Sequence, residues 1–122
     1  MIKRVYIAGR LSNSWDGNNP AVGYLTNARL MMEMAVRLMR YGFTPFCPAL
    51  DMLLFFVDGA DQLDEKMIKK QSIEWLSVCD AILLLPKWQD SPGTLKEIEF
   101  AKQHSIPVFE GIGAMIFYNK GN

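Results

Sequence analysis

Two glutamates separated by one residue, Glu97 and Glu99, fall in different surroundings if residues 92–104 form a helix. At about 100° per residue, Lys96, Glu99, Lys102 and Gln103 gather on one arc, which reads as the solvated face. Thr94, Ile98, Phe100 and Ala101 occupy the other side, and Glu97 falls between Phe100 and Ala101. A carboxylate held toward an apolar side is costly unless it is paired or functional. The spacing therefore leaves two readings for Glu97: a buried residue salt-bridged to a neighbour, or the centre of a site.

The residues just before it have the chemistry of a helix start. In Asp90-Ser91-Pro92-Gly93-Thr94, Ser91 suits the capping position, Pro92 the first helical position, and Gly93 permits close approach of a ligand to the backbone. Free N–H groups and the positive end of a helix dipole favour an anion at such a place. An ordinary capped helix without a ligand is the plainer alternative.

The elements that must position these residues alternate strand and helix, the signature of a parallel sheet covered on both faces. Val5-Tyr6-Ile7-Ala8 reads as a short strand halted by Gly9, followed by a polar loop over residues 10–19. Asn19-Pro20 reads as an N-cap with proline at the first helical position. The helix should run to about Tyr41, with Leu25, Ala28, Met32, Ala35 and Met39 on its inner face and Gly42 as its C-cap. A second strand covers residues 43–46 and ends at Cys47-Pro48. Residues 49–60 are ambiguous: Met52-Leu53-Leu54-Phe55-Phe56-Val57 suits a short helix, a strand or a partly exposed lid over a pocket or subunit interface.

A further helix is expected from near Asp61 or Asp64 to near Cys79, turning Ile68, Ser72, Trp75, Leu76 and Cys79 inward. Ala81-Ile82-Leu83-Leu84-Leu85 is the continuous apolar run of a central parallel strand. The loop over residues 86–91 leads to the helix of Glu97. Pro107-Val108-Phe109 forms a fourth strand, and Met115-Ile116-Phe117-Tyr118 a short helix or edge strand. The fold class is α/β, a flavodoxin/Rossmann-like three-layer sandwich with a four- to five-stranded parallel sheet. In such sheets ligands bind beyond the carboxyl ends of the strands. That rule nominates the loop after Gly9 and the loop before Ser91.

Composition narrows the function classes. With 122 residues, half of them apolar, the chain suits one domain spanning residues 1–122. Thirteen basic residues balance thirteen acidic ones and are scattered, so no nucleic-acid partner is expected. Cys47 and Cys79 lack metal-ligand spacing and read as reduced core residues in a cytoplasmic protein. No metal or other cofactor is expected, and neither a signal-peptide pattern nor a membrane span is visible. His104 falls at a helix C-terminus, where it complements the dipole. Trp88 suits either a pocket wall or a loop anchor. The methionines, Met31, Met32 and Met34 among them, read as core and interface filler.

Several of these stretches, taken in order, resemble the nucleoside 2-deoxyribosyltransferase superfamily, including the 2′-deoxynucleoside 5′-phosphate N-hydrolases and small uncharacterised relatives. The resemblance rests on Val5-Tyr6-Ile7-Ala8-Gly9, Ile73-Glu74-Trp75-Leu76, Cys79-Asp80-Ala81, the Ser91-x-Gly93-x-x-x-Glu97 spacing, Phe100-Ala101 and Ile106-Pro107-Val108. It implies that Glu97 attacks C1′ of a 2-deoxyribosyl group, expels the base and forms a covalent glycosyl-enzyme, which water or a second base resolves. A 2-deoxy sugar lacks the electron-withdrawing hydroxyl that would destabilise the oxocarbenium-like transition state. The resemblance further implies a 5′-phosphate site at Ser91 and the amides near Gly93 and Thr94, with Tyr6 and Gly9 near sugar and base. Arg10 or Ser12 would add contacts, and a homo-oligomer, dimer or higher, would complete the site.

One position departs from the superfamily. In that superfamily an acidic residue usually sits just before the position of Ile73, and here that position is Ser72, which has no suitable pKa for a general acid. Candidate substitutes are Asp90, nearest in sequence, then Asp16, Asp58, Asp61 and Asp64. The departure keeps a second reading open: a nucleotide-binding or sensing module without turnover. A third is an interaction protein whose contact surface is residues 53–57.

Overall fold

The computed structural model describes residues 1–11, 20–57 and 59–121. Four strands, β1 (Arg4–Ala8), β2 (Thr44–Phe46), β3 (Ala81–Leu84) and β4 (Val108–Phe109), form one parallel sheet in the order β2-β1-β3-β4. Between them run helices α1 (Pro20–Arg40), α2 (Glu65–Leu76) and α3 (Pro92–Gln103), and α4 (Ile112–Gly121) follows β4. The expected α/β sandwich with a four-stranded parallel sheet is the fold.

The period-two alternation of strand side chains divides the core in two. Val5 and Ile7 of β1 and Ala81 and Leu83 of β3 face one side, where Ala28, Met31 and Leu38 of α1 and Ile112 and Met115 of α4 cover them. Tyr6, Ala8, Ile82 and Leu84 face the other, against Leu76 of α2 and Ala101 of α3. Asp80 fastens the start of the sheet, its carboxylate accepting from the amides of Lys3 (2.9 Å) and Arg4 (2.8 Å).

The C-terminus of α1 shows why its buried stripe differs from the expected one. Gly42 adopts φ +88°, and the amides of Gly42 and Phe43 bond to the carbonyls of Met39 and Leu38, each at 3.0 Å. This is the paired bonding of a Schellman ending, which draws the residue after the glycine onto the helix's last turn. Phe43 and Leu38 are both buried in the α1-side core. The inward stripe is accordingly rotated to Ala28, Met31 and Leu38, while Leu25, Met32 and Met39 are 39–63% exposed. Apolar residues occur on both flanks of α1, so periodicity alone did not select between the two stripes.

Residues 48–57 resolve the ambiguous stretch as a 3-10 helix, Pro48–Phe56, followed by Val57. Its proline sits at the start, Ala49 is buried, and Leu53, Leu54, Phe55, Phe56 and Val57 are exposed. In α2 the cap is Asp64, whose side chain accepts from the Met67 amide at 2.8 Å. Ser72 and Leu76 face inward as expected, whereas Trp75 is 51% exposed. The expected cap Asn19, and Ser12, Asp16 and Asp58, lie outside the described residues. Among the described residues, no helix is long and apolar enough to cross a membrane.

Candidate active site

The Ser91 side chain starts α3 by accepting from the Thr94 amide at 3.2 Å, with Pro92 in the first turn. The Thr94 hydroxyl, buried, also donates to Ser91, at 3.0 Å. With both accepting positions used, the Ser91 O–H is the group left to donate toward a ligand. A Cβ on Gly93 would meet, among the described residues and outside the helix's own backbone, nothing closer than the Ser91 hydroxyl at 4.0 Å, so among those residues the first turn of α3 is open on that side.

Anchored this way, α3 turns Ala101 fully into the core and Glu97 toward β1. The fully buried Tyr6 donates its phenolic hydrogen to Glu97 Oε2. Burial pushes the Glu97 carboxyl up to about 7, against an opposing pull from the Tyr6 hydrogen bond. Burial, and then the charge of Glu97, push the Tyr6 phenol strongly upward, so Tyr6 keeps its proton and acts as a neutral donor. Glu97 retains part of its surface in contact with solvent. Its partner is thus a hydroxyl, not the cation of a salt bridge. A partly accessible carboxylate that titrates near neutrality, held by a fixed donor, is equipped to act as a nucleophile or a base.

The Ser72 hydroxyl stands beside the Tyr6 phenol and lies 3.5 Å from Asp51 Oδ2, to which it donates. Asp51 belongs to the 3-10 helix after β2, and burial raises its carboxyl above the ordinary range. Tyr24 of α1 and Cys47 feel the Asp51 charge, and burial raises both of them too. The structure therefore brings Glu97, Tyr6 and Ser72 together as one group and adds Asp51, which sequence reasoning missed. A signal was present: Asp51 is the single charged residue of residues 44–57.

An aromatic stack borders this group. Tyr6 and Phe46, paired in register on β1 and β2, stack at 5.3 Å, and Phe46 stacks on Trp75 at 5.8 Å. The stack leads from the core to the half-exposed Trp75.

The other nominated residues sit apart from Glu97 in their contacts. A Cβ on Gly9 would meet Leu85 at 2.9 Å, so glycine there serves the close approach of the chain after β1 to that after β3. Arg10 lies 3.6 Å from Asp90, whose side chain is 63% exposed. Trp88 packs on the α2/α3-side core and donates from Nε1 to Glu110 at 3.0 Å, the geometry of a loop anchor. Lys87, which precedes it, takes a left-handed backbone at φ +66°. A cavity of about 390 Å³ lies on the α1 side, with Arg10, Asn27, Arg37, Leu85 and Lys87 in its wall. It is across the sheet from Glu97 and carries none of the carboxylate group. His104 caps α3, its Nδ1 2.9 Å from the Phe100 carbonyl. Among the described residues, no group of three or more His, Cys, Asp or Glu is arranged to hold a metal.

No curated protein matches this chain. Residues 3–110, which include every side chain of the carboxylate group and its stack, match the family described as Domain of unknown function (DUF4406), and the chain belongs to that family.

Proposed function

We propose that the protein cleaves or transfers at the N-glycosidic bond of 2′-deoxynucleosides or their 5′-monophosphates, with Glu97 as the nucleophile. The observation that carries this reading is the Tyr6–Glu97 pair: a desolvated carboxylate near neutrality, held by a neutral donor from the middle of a parallel strand. The ionised form attacks C1′, and the resulting ester is resolved by water or a second base. The superfamily resemblance of Ser91-x-Gly93-x-x-x-Glu97 supports the sugar as substrate. The open first turn of α3 supports a 5′-phosphate, and the Phe46–Trp75 stack supports a planar base. We further read residues 53–57, exposed and apolar, as the contact between copies in a homo-oligomer.

Incubation with a panel of deoxynucleosides and their monophosphates, followed by mass spectrometry, tests the reading. The expected result is free base from the wild type and none from Glu97→Ala. A wild type inert across the panel overturns it. Ser72, a hydroxyl where the superfamily that the chain resembles usually carries an acid, favours a second reading, a nucleotide-binding module. That reading predicts thermal stabilisation by a ligand with no base released.

A further inference from the structure

The Ser72 hydroxyl carries one hydrogen, and so does that of Tyr6. This limits how the chain Asp51–Ser72–Tyr6–Glu97 can be bonded. With both carboxyls ionised, Ser72 donates to Asp51 and Tyr6 donates to Glu97, and no hydrogen lies between the two hydroxyls. One added proton completes the chain in either of two directions. Held on Asp51, it makes Asp51 donate to Ser72, Ser72 to Tyr6, and Tyr6 to an ionised Glu97. Held on Glu97, it reverses every bond and leaves Asp51 ionised. The two carboxyls thus stand at the ends of one chain of hydroxyls, which a single added proton completes.

We propose that Asp51 is the acid partner of Glu97 and that Ser72 is the link between them, so that the acid absent from α2 is supplied by the 3-10 helix after β2. This rests on the N-glycosidic reading. As Glu97 Oε bonds to C1′, the C1′–N bond breaks and its electron pair goes to the base, which takes the proton of Asp51. Water then bonds to C1′ as the C1′–Glu97 bond breaks. The water's proton returns to Asp51, and Glu97 leaves as a carboxylate. Among the described residues, the ionisable groups facing Asp51 are Tyr24 from α1, Cys47 after β2 and Tyr6 from β1, and burial raises all three. Among the described residues, the ionisable group facing Glu97 is Tyr6.

The test compares base release by the wild type, Asp51→Asn and Asp51→Asn with Ser72→Asp, on a deoxynucleoside and on a 2-deoxyriboside with a nitrophenolate leaving group. Asp51→Asn is expected to lose at least about 100-fold on the nucleoside and little on the nitrophenolate, which departs without a proton. Ser72→Asp in the same chain is expected to restore part of the nucleoside activity. Equal loss on both substrates, or a loss under about threefold, overturns the assignment. A second measurement needs no turnover: carboxyl-carbon NMR titration of Glu97. In Asp51→Asn the side-chain amide can donate to Ser72 while Glu97 is ionised, as an ionised Asp51 cannot, and so lowers the Glu97 midpoint by at least about half a pH unit. Ser72→Ala is expected to abolish that response, and an unmoved midpoint in Asp51→Asn overturns the link. A wild type inert on both substrates removes the N-glycosidic reading and with it the acid role, while the titration still decides the shared proton.

Discussion

Tyr6 donates its phenolic hydrogen to Glu97, a residue 91 positions further along the chain, and that one bond ties β1 to α3. It opposes the effect of burial on the carboxyl, which titrates at about 7 with the bond in place. Ionised Glu97 is the attacking form, so on the nitrophenolate substrate, which needs no proton from Asp51, kcat/KM should rise with pH along a limb centred near 7. Tyr6→Phe removes the donor that favours the ionised state. Its limb should therefore move to higher pH, with a lower rate at neutrality. A profile over roughly pH 5 to 9 checks this. A limb displaced to lower pH would mean that Tyr6 does not donate to the carboxylate.

The same burial has a consequence for stability. The folded-state value of Glu97, about 7, lies above its ordinary 4.5. Protonation is thus favoured more in the folded chain, and the associated stability is fully present below about 4.5. It is lost as pH rises through 7, above which the ionised group is a net cost. Each pH unit of displacement is worth about 1.4 kcal/mol, and residual solvent contact reduces the total to the order of 2 kcal/mol. Glu97→Gln should therefore stabilise the protein by about that amount at roughly pH 8 and have little effect at roughly pH 4. Denaturant unfolding at the two pH values measures it. An equal gain at both would assign the effect to packing instead of charge.

Ser91 offers a separable prediction, because its hydroxyl serves two groups of Thr94 at 3.2 and 3.0 Å. Ser91→Ala removes the cap of α3, at a cost of about 1 kcal/mol. It also leaves the buried Thr94 hydroxyl without this acceptor, adding about 1–2 kcal/mol. Thr94→Val in the same chain should recover only the second part. Against substrates, Ser91→Ala should weaken base release from a 5′-monophosphate more than from the nucleoside. A uniform effect on the two would remove the phosphate from this end of the helix.

The sheet was legible because strand residues announce themselves locally. The apolar run at residues 81–85, the stops at Gly9 and Gly42, and the Ser91-Pro92 helix start need no knowledge of tertiary contacts. Glu97 was legible for the same reason, since its place among Phe100 and Ala101 is a property of one helix. Asp51 was not. It lies in a 3-10 segment, where neither a 3.6 nor a 2.0 period applies, and its partner Ser72 is 21 residues away on α2. Trp75 failed differently: the wheel turned it inward, but its ring leans on Phe46 at the edge of α2 and stays half exposed. Which face of an aromatic residue is covered depends on the neighbouring strand, and the helix's own sequence does not contain that information.

That exposure makes Trp75 the place to test base recognition. Its ring is inclined 22° to Phe46, which is inclined 17° to Tyr6, so the three present nearly parallel faces. A planar base laid on Trp75 would extend the stack whose other end, Tyr6, bonds Glu97, and such stacking is worth about 1–3 kcal/mol per base. The contact is the same in ground and transition states, so its loss should raise KM and leave kcat in place. Trp75→Ala is accordingly expected to raise KM by about 5- to 100-fold, while Trp75→Phe keeps most of the affinity. Stability should change by less than about 1 kcal/mol, as is usual for side chains at the surface. Steady-state kinetics on one deoxynucleoside, with a thermal melt of each variant, separates the outcomes. An unchanged KM with a reduced kcat would exclude stacking and leave Trp75 as a support for Phe46.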